Sequence, residues 1–221
     1  MIIGVAQCPG RHVAHASHMI YLNSYMPLIS TRAGQIAAAN HGIHPFVDGS
    51  CRREPDFESD YPSISALCRF RIFAPRLLEG DIAVYLTRKG RYPGYPDSHW
   101  RFVAMLQVLH RFRTHRAAAD WYLANNVPLP KNCIVPGNPP LPLDHTLGDH
   151  HDLQQWDAVY HARALLCGTF LVCQALYREL DNPPVVTVAM MQAVFGRIPG
   201  LQNPGSISQD ELDNFRNACG A

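Results

Sequence analysis

LLEGDIAVYLTRKG, residues 77–90, is the stretch that decides how this chain is read. Asp81 to Tyr85 reads as a short apolar strand, with Gly80-Asp81 before it and Arg88-Lys89-Gly90-Arg91 after it. A strand that runs straight into a cationic, glycine-containing loop holds positive charge on a rigid base. Downstream, FVAMLQVLHRF (102–112) reads as a partner strand beyond the long loop GRYPGYPDSHW (90–100). THRAAADWYLANN (114–126) reads as a helix, capped by Thr114 and favoured by its alanine run. Upstream, ALCRFRIF (66–73) alternates Leu67, Phe70 and Ile72 with Arg69 and Arg71 and reads as a further strand.

Working outward, MIIGVAQC (1–8) reads as a first strand, and residues 18–42 as a helix in two pieces broken near Pro27, with Gly42 as C-cap. Residues 44–62 and 127–146 read as loops rich in proline and polar residues. Residues 150–180 read as one long helix with an apolar stripe, and 183–199 as another. SISQDELDNFRNACGA (206–221) reads as a last helix, with Ser208 and Glu211 spaced as a capping box.

The 221 residues, 47% of them hydrophobic, suffice for a real core. No apolar run reaches the roughly 20 residues that span a bilayer. The N-terminus lacks the pattern of a secretory signal. Seven cysteines without a CxxC pair point to a reducing, cytoplasmic setting and against a cysteine-built zinc site. Net charge is +1, but residues 69–116 carry ten Arg/Lys against three acids, whereas residues 121–221 carry five against nine. A localised basic segment suits an anionic partner, and the competing reading is a solvated face paired with the acidic part.

Gly80-Asp81, Ile82-Ala83-Val84-Tyr85 and Val103-Ala104-Met105-Leu106-Gln107-Val108 together resemble the small β-barrel superfamily of PUA, ASCH, EVE and YTH domains. The resemblance covers about residues 60–125. The approach DGSCRREPDFE (48–58) is also similar to domains described as nucleotide modification associated. The resemblance implies a PUA-like mixed β-barrel, taken as residues 1–145; residues 146–221, outside the resemblance, read as a helical C-terminal extension packed on it, so the expected fold class is α+β. It implies a module that binds RNA, DNA or a nucleotide and takes a modified base, flipped from its strand, into an aromatic pocket with a basic rim. Tyr85, Tyr92, Tyr95 and Trp100 are the candidate aromatics, and Arg88, Lys89 and Arg91 the candidate rim. Arg52, Arg53, Arg69 and Arg71 form a second cationic set. Arg52 or Arg53 could clamp a phosphate bidentately, or pair internally with Glu54, Asp56 or Glu58. Trp121 and Tyr122 read as core, and Asp81 as a turn residue bonded to backbone.

The alternative is an enzyme acting on nucleotides or modified bases. Asp144, His145, Asp149, His150, His151 and Asp152 crowd residues 143–152, and His145, His150 and Asp152 are its candidate ligands or proton-transfer groups. The acids there would equally serve a helix N-terminus. His12, His15 and His18 share an i, i+3 spacing without a further ligand, and Cys51 and Cys68 lack a histidine partner. GxSxG, HExxH, GxxxxGK[ST] and GxGxxG are all absent. The expectation is therefore a binder without cofactor or metal, not held in a membrane, that could self-associate through its C-terminal helices.

Overall fold

The computed structural model describes residues 18–69, 72–148, 150, 152–201 and 204–221. The expected strand 1–8 and His12, His15, Arg71, Asp149 and His151 lie outside them. The opening stretch does form a strand, β3 (Ile82–Thr87), and residues 100–112 form its long antiparallel partner, β4 (Trp100–Phe112). On its other side β3 pairs in parallel with β1 (Ile20–Tyr25), with Ile20 opposite Ile82 and Tyr25 opposite Thr87. β2 (Ser63–Ser65), β5 (Phe170–Arg178) and β7 (Gly205–Ile207) complete the order β2-β5-β4-β3-β1-β7, with β6 (Val185–Val186) paired to the start of β4. Helices α1 (Arg32–His41), α2 (His115–Ala124), α3 (Leu153–Leu166), α4 (Val188–Phe195) and α5 (Gln209–Cys219) pack around this mixed sheet.

The fold is thus α+β, but among the described residues the sheet stays open, with β2 and β7 at its edges, where a closed barrel was expected. The period-2 pleat sorts the central strands between two cores. Tyr21, Tyr25, Ala83, Tyr85 and Leu106 face one core with Phe57, Ile64 and Phe73. Ile20, Leu22, Val84, Leu86 and Phe102 face the other, closed by Met191, Phe195, Leu212 and Phe215 of α4 and α5. Each fully buried Leu, Ile, Val, Phe or Met among them contributes about 1.5–3 kcal/mol.

Three expected elements differ. Residues 20–25 are a strand, not a helix. Their alternating side chains serve both cores, which a one-sided helix would not allow. The long helix of 150–180 is two elements. α3 stops before Cys167, and the β-branched and aromatic run Phe170-Leu171-Val172 becomes β5, in register with β4 from Phe112/Phe170 to Ala104/Arg178. Gly168 makes the turn possible, since a Cβ there would lie 2.7 Å from the Arg113 carbonyl. Residues 146–221 are therefore no helical annex, because β5 sits between β2 and β4. The strand expected at 66–73 is also absent among its described residues. Strand structure ends at Ser65, and Arg69 turns the chain with φ of 51°.

Candidate functional site

β1 and β3 run parallel, so their C-terminal ends open on the same side of the sheet. A cleft of about 500 Å³ lies there. Asn23 and Tyr25 enter it from β1, Tyr85 and Arg88 from β3 and the residue just after it, and Ser65 from β2. The loop 46–56 supplies Asp48, Ser50 and Glu54, and α3 supplies Trp156 and Tyr160 one helical turn apart. Leu147 and His150 line its remaining side.

Tyr85 is fixed before any ligand arrives. It packs edge-on against Phe57 at 5.1 Å, Tyr25 at 6.2 Å and Phe73 at 6.2 Å. Burial raises its pKa well above the ordinary tyrosine value, with the nearby Asn23 side chain opposing the rise. His150 stacks on Trp156 with ring centres 4.2 Å apart. The Arg69 guanidinium donates to the Ser24 carbonyl at 2.8 Å and to its hydroxyl at 3.2 Å, which orients it along the cleft. Burial lowers its pKa. The Arg88 side chain is exposed, while its backbone N–H donates to the Tyr25 carbonyl at 2.8 Å.

Two carboxyl groups are enclosed with these rings. Burial raises Asp48 to about 6, against hydrogen bonds from Ser50 and Glu54 and the charge of Arg53. Burial raises Glu54 further, to about 8, although Ser65 and Asn132 donate to it and Asp48 adds to the rise. Burial therefore favours the protonated form of both, and of Glu54 more strongly than of Asp48. Burial also raises the Cys68 thiol far above its ordinary value and Cys51 to about 12, so neither is a ready nucleophile.

The other predicted residues are dispersed. Arg52 is 2% exposed and grips Asp157 through two nitrogens, at 2.5 and 2.8 Å, with a third bond to the Asn138 carbonyl. Arg53 donates to the carbonyls of Asp48 and His145 and to Glu58. Both are internal struts rather than phosphate clamps, because they are almost fully buried and their guanidinium donors are taken up by these carboxylates and carbonyls. Trp100 belongs to the second core beneath Val186 and Met191, with the Lys89 ammonium 5.0 Å from its ring centre. Tyr92 is buried against Phe46 and donates to the Arg88 carbonyl, and Tyr95 leans on His99. Gly90 and His99 exchange backbone bonds at 2.9 Å, so the cationic loop is a tied hairpin. Lys89 and Arg91 are exposed on it, outside the cleft lining.

The His/Asp cluster is also divided. Asp152 caps α3 by accepting from the N–H groups of Gln154 and Gln155, and His145 faces His41 instead of His150. Asp81 accepts from the N–H groups of Met19 and Leu78. Asn23, Asp48, Glu54, Trp156 and Tyr160 are the cleft residues that sequence reasoning missed. The charge density of DGSCRREPDF, too polar for a buried segment unless its groups are paired, hinted at a buried polar loop around Asp48 and Glu54 without singling out either, and Asn23, Trp156 and Tyr160 carried no signal of their own. Compared with family models, with curated proteins and with solved structures, the chain matches none.

Proposed function

We propose that the cleft binds a nucleic-acid base, modified or not, taken out of its strand, with Arg69 and Arg88 meeting the adjoining phosphate. The observation that carries this reading is the convergence of Tyr85, Trp156 and Tyr160 with Asp48, Asn23 and two arginines around one opening. The volume lies within the range of roughly 300–1,000 Å³ typical of small-ligand sites. Aromatic faces take a planar base, Asn23 offers an amide, and Asp48 in its ionised form accepts from ring or exocyclic N–H groups. Arginine beyond such a pocket suits phosphate. The strand that carries the PUA-like resemblance supplies Tyr85 and leads directly into Arg88. Among the described residues no helix is long and apolar enough to cross a membrane.

The test is fluorescence anisotropy with labelled single-stranded RNA, single-stranded DNA and duplex DNA at two salt concentrations. Salt-sensitive binding that Trp156→Ala weakens supports the reading. No binding at low salt rejects it for polymers, and free nucleotides are then titrated by calorimetry. The raised Asp48 and Glu54 favour a second reading, acid–base chemistry on the bound base. It is tested by incubating each bound oligonucleotide with the protein and weighing the product by mass spectrometry. An unchanged mass together with an unchanged nucleoside chromatogram removes the second reading and leaves the first.

A further inference from the structure

We propose that His41, Asp144 and His145 form a site for a divalent transition metal such as zinc, separate from the base-binding cleft. Their donor atoms all lie within 4.8 Å of one another. His41 Nε2 and Asp144 Oδ2 are 3.5 Å apart, close to the edge of about 3.4 Å of a tetrahedron with metal–ligand bonds of about 2.1 Å. The His41 and His145 rings are tilted against each other, with 4.1 Å between centres and 34° between planes. Two imidazoles and one carboxylate are a ligand set that zinc, cobalt and nickel accept.

The backbone beneath these ligands is held in place. His41 is the last residue of α1, where the helix carbonyls favour a cation. Asp144 and His145 lie on the 3-10 turn Leu143–His145. Arg53 binds the His145 carbonyl at 2.9 Å, and Thr31 at the N-terminus of α1 binds the Leu147 carbonyl at 2.6 Å. The turn is thus tied to the loop 46–56 and, through Leu147 just beyond it, to the start of α1. An ion pair of His41 with Asp144 makes no use of His145, whereas metal ligation employs all three. The Asp144 side chain is 66% exposed, which leaves a fourth position open to water or an incoming ligand. A metal here braces the segment that continues to Leu147 on the cleft wall.

The test uses the whole chain, stripped with EDTA and titrated with Zn²⁺ by calorimetry and with Co²⁺ by visible absorption. The expected result is one equivalent bound, with ligand-field bands of low-coordinate Co²⁺. Asp144→Asn should weaken it by roughly tenfold or more, and the double variant His41→Ala/His145→Ala should abolish it while circular dichroism stays unchanged. His12→Ala/His15→Ala should keep the site intact. Absence of binding overturns the proposal, as does binding that survives the His41/His145 variant or vanishes with the His12/His15 variant.

Discussion

Arg52 and Arg88 show how one residue type takes opposite roles. Arg52 is enclosed with Asp157 and backbone carbonyls, so removing it strands a half-buried carboxylate. Arg52→Ala should cost about 3–5 kcal/mol in urea unfolding. Arg88→Ala should stay within about 0.5 kcal/mol of the parent in stability, yet lower the salt slope of nucleic-acid binding by about 1. The carboxyls set a pH dependence. Glu54 holds its proton up to about 8 when folded but releases it near its ordinary 4.5 when unfolded. Between those values the folded state binds more protons, so this contribution is complete below about 4.5 and is lost as pH rises through 8. Asp48 acts in the same sense between 3.8 and about 6. His115, lowered to about 4 by burial, acts oppositely: its contribution is present above 6.5 and is lost as pH falls through 4. Glu54→Gln should therefore flatten the decline in melting temperature from pH 6 to 8. An equally steep decline in the variant would show that Glu54 does not titrate as described.

At the scale of elements, local chemistry was legible and long-range pairing was not. The caps at Thr114, Gly42 and Ser208 are all present, because each is a bond between neighbours in sequence. Ser208→Ala should cost about 1 kcal/mol, read from the chemical-denaturation midpoint. β3 and β4 were legible because a hairpin joins adjacent stretches. β1 and β5 were not, since an apolar run of six to nine residues suits a helix or a strand until its partner is known. Trp100 misled for a related reason. It sits among loop residues in sequence, but β6, more than eighty residues later, covers it. Trp100→Ala should cost about 3–5 kcal/mol of stability while leaving the affinity of the folded protein near the parent's. A selective loss of affinity with unchanged stability would return Trp100 to the binding surface.

For the whole molecule, the cleft exists because distant segments meet at the ends of one parallel strand pair. β1, the loop 46–56, β3 and α3 each contribute to it, and no two of these adjoin in sequence. Tyr85, Arg69, Arg88 and His150 could be nominated from sequence because they stand beside recognisable patterns. Asp48 and Glu54 could not, because their interest lies in burial among rings and donors that only the folded chain assembles. The central claim is that a base enters this cleft, and Trp156 is the natural reporter among the three tryptophans. The most direct measurement is the fluorescence of Trp100→Phe/Trp121→Phe, with Trp156 the sole indole, during titration with a single-stranded oligonucleotide. The account predicts saturable quenching that tracks the anisotropy of the labelled strand. Full binding by anisotropy with no change in Trp156 emission would place the nucleic acid elsewhere and contradict it.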